Sequence, residues 1–280
     1  MSLDHLADWI GRREEFLDVA SLAPLTGLAA TLDHDHCPWR VGEVPPLGHW
    51  LYFLPSARQR DLAEDGHPHR GSFLPPVPLP RRMWAGGTLE FLQPIRPGEA
   101  IRRQSTIADV KIKQGRSGAL VFVAVEHQIA TAAGLALREI HDIVYRDAPR
   151  PGEAAPAGEA APADPVWQRP MIGDPALLFR YSALTFNGHR IHYDRSYCRD
   201  VEGYPGLIVH GPLMATLLVD LYLRHHPGAV IKSFRFRALR PVFDIHPFTV
   251  CGSPTPDGAD LWIGDHDGMI AMRASLTTAS

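Results

Sequence analysis

Residues Gly211 to Arg224, GPLMATLLVDLYLR, are apolar nearly all round. A helix without a polar face has to be covered on every side, so something must wrap it. Pro212 suits the first turn, where a missing N–H costs nothing, and Gly228 lies beyond the end. The chain that follows reads as strands. Ile231 to Leu239, Phe248 to Gly252, Leu261 to Gly264 and Met269 to Thr277 alternate or run apolar, with turn residues between them. The expectation is an antiparallel sheet curled round one buried helix.

The first half repeats the strand pattern. Thr88 to Leu92, Ala100 to Ile112, Ala119 to Ala130 and Ala136 to Tyr145 read as a meander, with a hairpin turn expected over Gln114 to Gly118. Gly87 to Leu92 mirrors Ile231 to Leu239, each followed by a proline turn, and Gly118 to Thr131 is echoed by Gly268 to Thr278. Between the halves, Asp147 to Asp164 is Ala, Pro, Gly and Glu without an aromatic residue, which is the composition of a linker. The pattern is a weak internal duplication of an α+β unit. A sheet wrapped around one helix is the hot-dog arrangement. Two copies make a double hot-dog, two antiparallel sheets each with a helix, packed as a pseudo-dimer. The units are residues 1–146, a degenerate first copy; 147–168, the linker; and 169–280, the second copy.

The N-terminal residues Asp8 to Ala20 read as an amphipathic helix, and Leu22 to Leu32 as an apolar continuation broken by Pro24 and Gly27. Asp33-His34-Asp35-His36-Cys37 superficially resembles a metal site. Adjacent ligands on one element cannot converge on one ion, and no spaced partner pair follows, so the stretch reads as a solvated loop and no metal is expected. Residues 38–82 are proline-rich and read as irregular chain with a short strand near Trp50 to Phe53. Arg58, Arg60, His67, His69 and Arg70 make the stretch locally basic. It is read as a solvated loop, with a phosphate-meeting lid as the sharper alternative.

A formal net charge of −3 favours neither nucleic acid nor a membrane surface. No apolar run approaches the roughly 18 residues a bilayer span needs. Cys37, Cys198 and Cys251 are few, odd in number and widely spaced, which fits a reducing cytoplasm rather than a disulfide framework. No dinucleotide glycine loop, phosphate loop or nucleophile elbow occurs, so no cofactor is expected.

The chemistry is expected in Tyr181 to Leu218, which holds three histidines, a polar cluster and the start of the apolar helix. Tyr181-Ser182-Ala183-Leu184-Thr185-Phe186-Asn187-Gly188-His189-Arg190-Ile191-His192, followed by Ile208-Val209-His210-Gly211, resembles the motif of the (R)-specific enoyl-thioester hydratases and MaoC-like dehydratases. It is similar in particular to the type 2 hydroxyacyl-thioester dehydratases, a subgroup that includes itaconyl- and mesaconyl-CoA hydratases. The resemblance implies a double hot-dog fold, reversible hydration of a 2-enoyl thioester, and a CoA thioester as partner, with a homodimer as a family expectation. It puts the catalytic histidine on His192. The family's acid falls on Asn187 and its asparagine on His189. An amide cannot exchange a proton at neutral pH, so Asn187 can only orient, and His189 and His192 can share the acid–base work.

The physical logic stands beside the resemblance. Adding water to a conjugated thioester needs a base for the water and donors for the oxygen that gains charge. An imidazole can be base and then acid. The Gly211 N–H, at a helix N-terminus and without a side chain in the way, suits the oxyanion. His210 reads as a structural hydrogen-bonder close to the substrate, Tyr181 as a pocket or core wall, and Asp194 as a group that could orient an imidazole. Arg235, Arg237 and Arg240 are either a solvated face or partners for a phosphate or carboxylate, Arg237 being the candidate for the substrate. Two other readings stay open: a 3-hydroxyacyl carrier-protein dehydratase, and a catalytically silent thioester-binding protein.

Overall fold

The computed structural model describes residues 3–115, 118–147 and 158–279. Ten strands form one antiparallel sheet. In chain order they are β1 (Arg13–Val19), β2 (Arg81–Phe91), β3 (Ala100–Gly115), β4 (Gly118–Thr131), β5 (Gly134–Arg146), β6 (Trp167–Ile172), β7 (Ile231–Ala238), β8 (Pro247–Thr255), β9 (Gly258–Gly264) and β10 (Ile270–Thr278). Across the sheet the order is β1-β3-β4-β5-β2-β7-β10-β9-β8-β6. Each half therefore runs first, third, fourth, fifth, second from its outer edge, and the halves meet where β2 pairs with β7, from Gly86↔Arg237 to Glu90↔Ser233. This is the double hot-dog, its two sheets joined edge to edge. The seam needs glycine: a Cβ on Gly86 would lie 2.5 Å from the Phe236 carbonyl oxygen.

Four helices occupy the connections: α1 (Leu22–Thr31), α2 (Pro175–Leu184), α3 (Arg195–Asp200) and α4 (Gly211–His225). Helix α4 is the apolar segment expected from sequence, buried from Leu213 to Leu223. Alternation aims Phe234, Phe236, Phe248, Val250, Leu261, Ile263, Met272, Ala274 and Leu276 into the core that holds it. Its one buried acid, Asp220, is met by His34 at 2.7 Å, Arg224 at 2.8 Å and Arg169 at 3.2 Å. That network ties α4 to β6 and to the end of α1, whose Leu32 carbonyl accepts from Arg169 and Arg224.

Several expectations are corrected. Asp8 to Ala20 is not a helix. A 3-10 turn over Asp4–Trp9 ends at Gly11, whose φ of 85° reverses the chain into edge strand β1, paired with β3. Leu22 to Leu32 is helical despite Pro24 and Gly27. Pro24 falls in the first turn, where no N–H is required, and Gly27 is where α1 touches α2, since a Cβ there would meet the Leu184 side chain at 2.8 Å. The strand near Trp50 to Phe53 is a 3-10 turn, Gly48–Leu51. The echo of residues 118–131 in 268–278 matches β4 to β10, whereas topology matches β4 to β9. His34 is not solvated, since its imidazole is buried against Asp220.

The centre of the expected hairpin turn, residues 116–117, and residues 148–157 of the linker lie outside the described residues. The linker's last part, from 158, lies along β10: Ile270 N–H donates to the Glu159 carbonyl, and Glu159 pairs with Arg273. β6 begins at Trp167, inside the segment read as linker.

Candidate active site

The Tyr181 to Leu218 segment folds as a chain of short elements ending at α4. Asp174 caps α2, accepting from the N–H groups of Ala176 and Leu177, with Pro175 following at the first helical position. The helix ends in a Schellman turn. Asn187 N–H donates to the Ser182 carbonyl and Phe186 N–H to that of Ala183. Phe186 takes the left-handed conformation, φ 47°, that glycine adopts most readily. Asn187 Oδ1 then accepts from the His189 N–H at 3.0 Å, closing an Asx turn. A 3-10 turn over Arg190–His192 delivers His192 beneath the N-terminus of α4.

His192 is buried, and its Nδ1 lies 2.7 Å from the Ile208 carbonyl oxygen. A carbonyl only accepts, so Nδ1 carries the hydrogen and Nε2 of the neutral ring keeps its lone pair. Burial pushes this imidazole down to about 4, against the partial support of the Ile208 carbonyl, so it is neutral at pH 7. The ring stacks on His210 with centroids 3.6 Å apart. His210 is the N-cap residue of α4, and Gly211 follows it as the first helical residue, so the two sites proposed for base and oxyanion donor are neighbours. No Cβ contact closer than 4.0 Å, to the Trp84 carbonyl, would crowd Gly211. His210 Nε2 lies 2.8 Å from Ser182 Oγ, and its buried Nδ1 has no partner among the described residues.

The proline-rich stretch contributes two residues that sequence reasoning missed. The His67 ring lies 4.0 Å from His189, which in turn sits edge-on to His192 at 5.5 Å. Asp65 holds His67 through Nδ1 at 3.2 Å and through its N–H at 2.9 Å. The two strands of chain touch so closely that a Cβ on Gly66 would fall 1.9 Å from the Gly188 oxygen. Arg190 N–H donates to the Asp65 carbonyl, and its guanidinium to that of Glu64. The stretch is thus neither a solvated loop nor a free lid; it is docked on the motif. Burial, followed by the neighbouring His67 and His192, lowers the His189 pKa. The Asp65 carboxylate is held below its usual range: burial opposes this, but the bonds to His67 outweigh it. Ligand atoms of Asp65, His67 and His189 all lie within 4.8 Å of one another, which would suit a metal ion. The Asp65–His67 bonds already account for one pair of them without one.

The remaining candidates separate. Tyr181 is a core wall, its ring 5.2 Å from His210 and its hydroxyl 3.4 Å from Thr216 Oγ1. Asp194 is not turned to an imidazole: it caps α3 through the Tyr197 N–H and pairs with Arg190 at 2.8 Å. Arg237 is not brought to the cluster. It alternates with Phe236, which faces the core, and so lies exposed on the outer face of β7. A crevice of about 290 Å3 lined by Trp39, Phe91, Leu223 and Lys232 lies toward the far end of α4, a helix roughly 22 Å long, and is not this site.

The chain is similar to known proteins along most of its length. The sequence profile of the family described as hydroxyacyl-thioester dehydratase type 2 matches residues 46–244. The mesaconyl-C(4)-CoA hydratase of Chloroflexus aurantiacus is 47% identical over 276 residues, covering 98% of each chain. The mitochondrial hydroxyacyl-thioester dehydratase type 2 of Schizosaccharomyces pombe is 28% identical, covering 88% of this chain and 91% of its own. Among solved structures, a MaoC-like dehydratase from Phytophthora capsici superposes with a TM-score of 0.73 at 14% identity, covering 100% of this chain and 98% of its own. HtdX of Mycobacterium tuberculosis superposes at 0.64 and 17%, covering 95% and 99%. These two likenesses speak to the fold.

Proposed function

The chain belongs to the hydroxyacyl-thioester dehydratase type 2 family and is a hydro-lyase, and from that premise we propose that it adds water to a methyl-branched, carboxylated 2-enoyl-CoA such as mesaconyl-CoA. The observation that carries the mechanism is the His192 imidazole, its tautomer set by the Ile208 carbonyl, lying against the residue that opens α4.

In this reading the thioester oxygen lies at the Gly211 N–H, where the helix dipole and an unobstructed amide favour negative charge. With Ser182 donating to Nε2, His210 Nδ1 carries a hydrogen and supplies a second donor. His192 Nε2 takes a proton from water. The water oxygen bonds to the β-carbon and the double-bond electrons move toward the thioester oxygen. The proton held by His192 then goes to the α-carbon, so H and OH are added and the enzyme is restored. Asn187 has its carbonyl engaged in the Asx turn and its amide N–H groups available to orient the water. His189, backed by His67 and Asp65, stands where it can share the proton.

The substrate is taken from the 47% identical hydratase. The family name and the Schizosaccharomyces relative favour a second reading, the same reaction run as dehydration of a 3-hydroxyacyl carrier-protein thioester. Two of the three free thiols, Cys198 and Cys251, are buried, Cys37 being exposed. That fits the cytoplasm we propose as its compartment, and no helix among the described residues is long and apolar enough to cross a membrane.

The test follows loss of enoyl-thioester absorbance with mesaconyl-, itaconyl- and crotonyl-CoA and a carrier-protein thioester. His192→Ala is expected to lose about 10²- to 10⁴-fold in kcat while keeping its fold. A variant with full activity would remove the mechanism.

A further inference from the structure

One cation beside the site has no carboxylate partner among the described residues. Arg70 gives its guanidinium to the carbonyls of Val77, Leu79 and Pro80. Arg81 is paired with the Glu202 carboxylate at 2.9 Å and donates to its backbone carbonyl. Arg190 is paired with Asp194. Arg82, between them in the chain, forms no ion pair with a carboxylate among the described residues, although it is only half exposed or less.

Its place follows from the strand. Arg82 and Trp84 share a face of β2 by alternation, and the bulge comes after them, between Trp84 and Gly86. Trp84 faces inward, with its ring 5.8 Å from Phe236 and 4.9 Å from Trp50. The Trp84 carbonyl oxygen would also lie 4.0 Å from a Cβ on Gly211, across the mouth of α4. Two residues along a strand is roughly 7 Å, within the reach of an arginine side chain. Arg82 pairs in register with Tyr145 and lies against its buried hydroxyl. Burial first, and then the positive field of Arg82 among others, keeps His67, His141 and His189 below the usual imidazole range. The guanidinium therefore stands among neutral rings, permanently charged, with nothing anionic assigned to it.

We propose that Arg82 is the receptor for the free carboxylate of the acyl group, and that this contact, rather than any made by Arg237, selects carboxylated enoyl-CoA substrates. The inference rests on the hydratase reading above. In mesaconyl-C4-CoA the free carboxylate is attached to the β-carbon, the carbon that receives water. Conjugate addition next to an uncompensated carboxylate brings an electron-rich nucleophile toward negative charge. A guanidinium fork on that carboxylate relieves the repulsion and fixes which end of the double bond faces His192.

The experiment compares kcat/KM for mesaconyl-C4-CoA with that for 3-methylcrotonyl-CoA, which has the branch but not the carboxylate, and for crotonyl-CoA. In the wild type the carboxylated ester is the best of the three. In Arg82→Gln the preference for it is expected to fall roughly 10- to 100-fold, the loss of a hydrogen-bonded charge contact. The fall should appear in kcat as well as in KM, because the contact both holds the carboxylate and eases the attack beside it. Arg82→Lys, which keeps the charge without the fork, should fall between the two and serves if Arg82→Gln does not fold. A preference unchanged in a folded variant, or an equal loss on all three esters, overturns the proposal, the second outcome pointing to the CoA moiety instead. A wild-type protein that hydrates none of them would defeat the hydratase reading itself, which is a separate result.

Discussion

The two halves of the sheet share one strand order and differ in what covers their inner faces. In the second half, α4 lies on the sheet, and the residues facing it are Phe, Val, Leu, Ile, Met and Ala. In the first, the corresponding inner face carries Arg103, Ser105, His127, Glu139 and His141 along β3, β4 and β5, flanked by two apolar clusters. What meets Glu139 is not a helix interior but the 3-10 turn at His49 and Trp50, which donate to it at 2.9 and 3.1 Å. His127 meets Ser105 at 2.9 Å. A long helix satisfies its own backbone and asks the sheet only for apolar surface. A turn and a proline-rich connection leave polar groups that must be answered by the sheet. The first copy, relieved of a full helix, spends its connection on the second copy's motif instead, through Asp65, Gly66 and His67.

Glu139 in the first half and Asp220 in the second are buried carboxylates facing the core, and substituting them probes the contrast. Asp220→Ala leaves Arg224 without its carboxylate partner and Arg169 with only the exposed Asp33 at 3.9 Å, and should cost about 3–5 kcal/mol by denaturant unfolding. Glu139→Ala strands an imidazole and an indole rather than guanidinium groups, and should cost about 1–3 kcal/mol. Equal losses would mean that the first half is held by charge as strongly as the second.

Acid should expose the first half's histidines. Burial holds His127 at about 4 and His141 at about 3, from an ordinary 6.5, and holds His192 at about 4. Such groups take up protons more readily when unfolded. Their contribution is complete above 6.5 and is lost as pH falls toward the folded values, at roughly 1.4 kcal/mol per pH unit for each histidine near pH 5. Glu139 is held down to about 2, burial being outweighed by His49, and adds a loss of the same sign below 4.5. Replacing His127 and His141 together by Gln should make the measured slope between pH 6 and 5 shallower. An unaltered slope would assign the acid sensitivity to the second half alone.

The smallest effect runs the other way. Phe186 is 58% exposed and left-handed, a conformation that costs a side-chain-bearing residue about 1 kcal/mol, so Phe186→Gly should raise stability by that order. A loss instead would show that the ring is bound to something the contrast omits.

What the amino-acid order made legible was what local pattern controls. The alternating strands of both meanders, the all-apolar α4 and the contiguous motif with His192, His210 and Gly211 could be read directly. Edge strand β1 was not, because REEFLDV carries no alternation of its own and is held by pairing with β3. Helix α1 was hidden because its two breakers are harmless for reasons of position and packing. Asp65, His67 and Arg82 were out of reach for another reason: they approach the motif only through the fold, with Glu64 and Arg190 separated by 126 residues where they touch. The basic bias around His67 was visible, but its direction was not, and Arg237 drew attention that the alternation of β7 sends to the outer face.

The contact of Gly66 with Gly188 also bears on whether either half can stand alone. The first half has α1 but, among its described residues, no counterpart of α4, and its proline-rich connection is packed on the motif of the second half, so cutting the chain between the halves would strip that motif of part of its packing. The second half expressed by itself would carry the motif from Tyr181 to Gly211 and lack the wall, Asp65 to His67, that its histidines lean on.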